Sequence, residues 1–133
     1  MFVTPLYASL LTLWFVVLSI RVVNLRRGGI SFGDKGDVAV TRVVRAQANF
    51  AEYVPLALLL MGFLEVGRFS IYILHGLGLT LLIGRLIHGL ALSFGWQMRF
   101  GRVAGAALTF IVLLIEAFLC LYQGLRGQWV WWQ

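Results

Sequence analysis

The sequence predicts an all-α integral membrane protein, a bundle of four transmembrane helices. Three observations carry this expectation. Of the 133 residues, 61% are hydrophobic and only 12% charged. Mean hydropathy is +0.92. The apolar residues gather into four stretches of about 20 residues, the length that crosses a hydrocarbon core about 30 Å thick. A water-soluble chain this short leaves a large share of its surface in water and needs far more charge to cover it. The chain reads as a single domain, 1–133, with helices at about 2–26, 41–66, 69–94 and 102–126.

The first 20 residues hold no Lys, Arg, Asp or Glu, and Arg21, Arg26 and Arg27 follow them. A cleaved signal peptide puts its positive charge first, so this segment is expected to remain as the first span. Residues 28–40 carry four glycines with Asp34 and Asp37, and read as a polar loop. The aspartates resemble a calcium loop and the glycines a phosphate cradle, but the twelfth-position Glu and the GK[ST] ending are both missing; turn and capping roles are expected. The second helix opens with a polar third and continues apolar. The third is apolar apart from His75, Arg85 and His88, and the fourth apart from Glu116 and Gln123.

Four spans place both termini on one side. Arg21, Arg26, Arg27, Lys35, Arg42, Arg45, Arg99 and Arg102 lie toward the first and third connections, against Arg68 and Arg126 opposite. The bias predicts that those two connections are cytoplasmic and the termini on the other face. Trp129, Trp131 and Trp132 are expected to form an interfacial aromatic anchor there.

The balance of 11 basic to 5 acidic residues gives a pI near 10.5. The basic residues are scattered singly between apolar stretches, so no nucleic-acid partner is expected. The single cysteine, Cys120, precludes an internal disulfide, and no His or Cys stands at metal-ligand spacing from it; no metal site is expected.

The chemically informative segment begins at Arg42. At roughly 100° per residue, Arg42, Arg45, Asn49, Glu52 and Tyr53 fall within about 100° of one another on a helix that is otherwise Val, Ala, Phe and Leu. The stripe runs roughly 15 Å along the axis. Ionisable groups at membrane depth face a cavity or one another, which makes such a stripe a candidate site. The competing reading is a packing network in which Arg45 and Glu52 pair with each other, and the spacing leaves both open. Gln47 lies about 140° from Arg42 and off the stripe.

Here the sequence resembles a known family, the membrane-associated proteins in eicosanoid and glutathione metabolism (MAPEG). Its second-helix signature is matched by Arg45, Ala46, Asn49, Glu52 and Pro55. Gln47 and Tyr53 extend the likeness toward the leukotriene C4 synthase variant, as does the Arg26-Arg27 pair closing the first helix. Length, four spans and a polar first connection agree, and small bacterial members look most alike.

The resemblance implies a homotrimer in a bacterial inner membrane, with sites between subunits that hold glutathione, and a lipophilic second substrate arriving through the surrounding lipid. Glutathione carries two carboxylates, an ammonium and a thiol, which calls for guanidinium forks, a carboxylate and a cation near sulfur. By resemblance Arg45 grips a carboxylate and Glu52 takes the ammonium. Asn49 and Tyr53 hydrogen-bond the peptide backbone, and Gln47 reaches the adjacent subunit's ligand. Arg85 and His88 resemble a pair in the prostaglandin E synthase branch. That branch has Arg where Asn24 stands here, which passes anion binding to Arg26 or Arg27. Four residues beyond His88 the family commonly shows Tyr, and this chain has Leu92.

A free thiol with pKa about 8.5 is mostly protonated at neutral pH, and an adjacent guanidinium favours the thiolate. The family places such a cation at the start of the fourth helix, which selects Arg102 first and Arg99 second. The expected reaction is thiolate attack on a lipophilic electrophile or reduction of a lipid hydroperoxide. The alternative is a non-catalytic member that binds lipid or glutathione. A small multidrug exporter is disfavoured because such transporters carry a Glu in the first span, and residues 1–20 have none.

Small residues at Gly101, Ala104, Gly105, Ala106 and Ala107 predict close approach of the fourth helix to a neighbour, as do Ala91 and Gly95 in the third. Glu116 is expected either to pair with Arg85 or to mark a proton-sensitive position, and receives no catalytic role.

Overall fold

The computed structural model describes residues 2–27 and 36–130, the side chains of 127–130 excepted. Four helices follow in order: α1 (Val3–Arg26), α2 (Val38–Val66), α3 (Ile71–Phe94) and α4 (Met98–Val130). All four are long and apolar enough to cross a bilayer. The four-helix membrane bundle expected from the sequence is therefore the observed fold. Asp34, Lys35, Trp131, Trp132 and the Trp129 side chain lie outside the described residues.

Two helix starts, those of α2 and α4, lie well ahead of the expected positions, and both differences have local causes. α2 begins at Val38 because Asp37 caps it: Oδ1 accepts from Ala39 N at 2.7 Å and from Val40 N at 3.3 Å. α4 begins at Met98 because the chain reverses in three residues. Gly95 (φ 76°) ends α3 in the left-handed region and Gln97 (φ 42°) completes the turn. Arg99 and Arg102 therefore stand on the first turns of α4 and not in a loop.

The packing is asymmetric. α2 and α3 each touch all three other helices, whereas α1 and α4 do not touch one another among the described residues. The core runs down this central pair, with Leu11, Leu18, Ala57, Met61, Leu64 and Leu81 buried in it. α3 and α4 approach most closely at their glycines. A Cβ at Gly105 would stand 2.6 Å from the Gly84 carbonyl oxygen and 2.6 Å from His88 Cβ, and one at Gly101 would stand 2.8 Å from Ala91 Cβ. The expected close approach is thus made by Gly101, Gly105 and Ala91, with Gly84 in addition, whereas Gly95 has nothing among the described residues within 4 Å of its Cβ position and serves the turn instead.

Candidate functional site

The site lies where α1 and α3 end and α2 and α4 begin. Starting from the Asp37 cap, α2 carries Thr41, Arg42, Arg45, Ala48, Asn49 and Glu52 down one face at helical spacing. α3 presents His88 and Leu92, four residues apart, and α4 presents Arg102 one turn before Gly105. The Gly84–Gly105 contact holds α4 close enough for Arg102 to share a space with His88. Together these residues line a cavity of about 410 Å³, within the roughly 300–1,000 Å³ usual for small-molecule sites.

Three guanidinium groups and one carboxylate reach this space. Arg42 is braced by bonds from Nε to Val38 O at 3.2 Å and from Nη1 to Met98 Sδ at 3.2 Å. Arg45 and Glu52, which a packing-only stripe would pair, have no hydrogen-bond or ion-pair partner among the described residues and stand exposed on the outer side of α2. His88 is 4% exposed, and its Nδ1 has no partner among the described residues. The arrangement suits a zwitterionic guest with more negative than positive groups, the carboxylates meeting guanidinium forks and an ammonium meeting Glu52.

Behind the lining lies Arg85, 1% exposed, whose Nη2 donates to Asn49 Oδ1 at 2.9 Å. The Trp14 indole N–H donates to the Arg85 carbonyl oxygen at 3.1 Å, and the Trp14 ring stacks on Phe94 at 6.4 Å. Arg21 donates to Ser93 O at 2.7 Å and lies 4.4 Å over the Phe94 ring, which ties α1 to the end of α3.

Of the residues singled out in sequence, Arg45, Asn49, Glu52, His88 and Arg102 meet in the cavity, and Arg85 reaches it through Asn49. The others stand elsewhere. Gln47 points across to α1 and donates to Ser19 Oγ at 3.4 Å. Tyr53 packs edge-on against Phe110 of α4 at 5.3 Å. Arg26 is half-buried at the end of α1, Arg27 is exposed beyond it, and Arg99 is exposed on α4; none of the three lines the cavity. Arg42, which opens the stripe read from the sequence, lines the cavity too. Thr41 and Ala48 follow from the same helical face, while Trp14 and Arg21 brace α3 through contacts that no periodicity reveals.

A second recess of about 330 Å³ between α1 and α2, lined by Leu11, Thr12, Phe15, Phe50, Pro55 and Leu58 among others, is almost wholly apolar. Among the described residues no group of three His, Cys, Asp or Glu is placed to hold a metal ion.

Four apolar helices of membrane-spanning length, three of which line a cationic cavity at one end, define an integral membrane protein. The chain belongs to the MAPEG family, whose model matches residues 4–122. It is 34% identical over 116 residues to the Inner membrane protein YecN of Escherichia coli strain K12, an overlap that takes in 85% of this chain and 86% of that protein. The protein of the same name from Escherichia coli O6:H1, strain CFT073, matches to the same extent.

Proposed function

We propose that this protein is a glutathione-dependent transferase or peroxidase of the inner membrane. The observation that carries the proposal is the convergence of Arg42, Arg45 and Arg102 with Glu52, which has no partner among the described residues, around one cavity of about 410 Å³. Glutathione's two carboxylates match two guanidinium forks, and its ammonium matches Glu52. That leaves a third cation for the sulfur, and Arg102, on a different helix from the other two, takes that part. A guanidinium beside the thiol favours the thiolate without a separate base. The thiolate then attacks a lipophilic electrophile, or reduces a lipid hydroperoxide, that arrives from the bilayer.

The same geometry supports assembly as a homotrimer. Arg45 and Glu52 project from the outer face of α2, beside the exposed Leu56, Leu59 and Phe63. Charged groups turned toward hydrocarbon are costly, and a second copy laid over this face would shield them. The YecN relatives are named inner membrane proteins. That location, with the first and third connections cytoplasmic, agrees with the clustering of basic residues at the end that holds the cavity.

Calorimetry of glutathione binding in detergent tests the proposal. Arg45→Ala and Glu52→Ala are each expected to weaken binding by about tenfold or more. Unchanged affinity in both would overturn the assignment. A second reading, a binding protein without catalysis, is favoured by Leu92, which puts an apolar wall beside His88 where the family commonly has Tyr. Absence of glutathione-dependent activity toward both a model electrophile and a model hydroperoxide, with binding intact, would select it.

A further inference from the structure

The buried guanidinium of Arg85 does not line the cavity, yet its one hydrogen bond among the described residues is to a side chain that does. We propose that Arg85 is a positioning residue: it locks the amide of Asn49 so that the Asn49 NH2 faces the guest, which must then offer a hydrogen-bond acceptor at that point. The proposal rests on the reading of the cavity as a glutathione site and adds the polarity of one of its contacts.

The chemistry of the donor settles which way the amide lies. A guanidinium has only N–H groups to give, so the Asn49 atom 2.9 Å from Arg85 Nη2 is the carbonyl oxygen Oδ1. The opposite end of the amide, Nδ2, then carries two N–H groups. Nδ2 has no partner among the described residues, and it is not among the buried polar atoms left without one. Since Asn49 lines the cavity, that NH2 is free for whatever enters. Turning the amide over would set NH2 against a guanidinium and present the carbonyl oxygen to an anionic guest, losing two interactions together.

Arg85 is itself held from both sides. Its carbonyl oxygen accepts from the Trp14 indole, and its guanidinium lies 5.9 Å from the centre of the Phe50 ring. Its Nε and Nη1 are buried without partners, and no carboxylate pairs with it among the described residues. A desolvated cation one side chain behind the wall adds to the field of Arg42, Arg45 and Arg102. That field and the fixed NH2 select the same kind of group: a carboxylate, an amide carbonyl or a thiolate, all of which glutathione carries.

A double-mutant cycle on glutathione binding, read by calorimetry in detergent, separates positioning from mere support of the fold. Arg85→Met is expected to weaken binding about tenfold, and Asn49→Ala by a similar factor. In the Asn49→Ala background Arg85→Met is expected to cost no more than about twofold further, because the group it positions is gone and only its share of the field is lost. Arg85→Lys, which can still donate to Oδ1, is expected to recover most of the affinity. Losses that multiply in the double variant, or wild-type affinity in Arg85→Met, would overturn the proposal while leaving the glutathione reading in place. Absence of glutathione binding by the wild-type protein would overturn both. If Arg85→Met does not fold, Asn49→Asp supplies the test: the new carboxylate pairs with Arg85 and preserves the fold but has no NH2. Weakened binding without a lower melting temperature supports the assignment, and unchanged binding overturns it.

Discussion

The carboxylate of Glu65, near the C-terminal end of α2, accepts the backbone N–H of Thr4 at 2.9 Å and that of Val3 beside it. The first amides of a helix have no partner within it, and α1 supplies none locally: Phe2 occupies the cap position, and its first turn holds no acidic residue. Glu65 thus caps α1 from 61 residues away, joining two spans at the end opposite the cavity. At the same end Tyr7 meets His75 Nδ1 at 3.1 Å. Glu65→Ala is expected to lower stability by about 1 kcal/mol, the usual worth of a helix cap, and Glu65→Gln by less. Thermal unfolding in detergent measures both. An unchanged midpoint in Glu65→Ala would show that the first span is held without this cap.

Gly105 and Gly124 lie on the same helix but differ in their surroundings, which permits a paired test. A side chain at Gly105 meets the α3 backbone at Gly84 and His88, whereas one at Gly124 meets nothing within 4 Å. Gly105→Val is expected to force α4 away from α3, to destabilise by about 3 kcal/mol through overpacking, and to abolish glutathione binding by separating Arg102 from His88. Gly124→Ala is expected to be neutral or to stabilise by about 0.5–1 kcal/mol, since glycine disfavours a helix interior. Equal behaviour of the two variants would show that the approach of α4 to α3 does not depend on Gly105.

Glu116 is 0% exposed, and neither carboxylate oxygen has a hydrogen-bond partner among the described residues. Of the two roles that the sequence allows it, the pair with Arg85 is not formed, because Arg85 donates to Asn49 instead. A buried polar group without a partner is costly whichever proton it carries. Glu116→Met keeps the volume and removes the orphaned oxygens, and is expected to raise stability by about 1–3 kcal/mol with glutathione affinity unchanged. A lower melting midpoint would mean that the carboxyl has a partner on a neighbouring chain.

The four spans were legible because an apolar run of membrane length, in a chain with so little charge, has nowhere to bury itself except in lipid. The α2 stripe was legible for a similar reason: residues on one helix keep their relative angles in any tertiary setting, so Arg45, Asn49 and Glu52 had to share a face, and Arg42 with them. What sequence could not supply was the rotation of one helix against another. That Gln47 bonds to Ser19 of α1, that Tyr53 packs on Phe110, and that Arg85 stands behind Asn49 all depend on interhelical geometry set by contacts such as Gly84 with Gly105. Helix starts moved for local reasons: the cap at Asp37 is a role expected of its loop, though not the helix start it sets, and the left-handed turn at Gly95 and Gln97 is one that hydropathy does not register.

The same limit explains why two arginines were candidates for the thiolate and why one now stands ahead. Arg99 and Arg102 are three residues apart in sequence and about 300° apart around the helix, so they point in neighbouring but distinct directions. Gly101 and Gly105 fix which side of α4 meets α3, and in that orientation Arg102 lines the cavity with His88 while Arg99 stays outside it. A cation that stabilises the thiolate contributes most as charge gathers on sulfur, and less to holding the rest of the guest. Arg102→Ala is therefore expected to slow glutathione-dependent turnover of a generic electrophile by about tenfold or more, with a smaller loss of glutathione affinity. Arg102→Lys retains a positive charge without the planar fork and is expected to fall between. Arg99→Ala is expected to leave both quantities within about twofold of wild type, as for a surface change away from the site. Steady-state kinetics paired with calorimetry on the three variants decide the matter: if Arg99→Ala alone slows turnover, the cation beside sulfur is Arg99, and α4 must rotate when the guest binds.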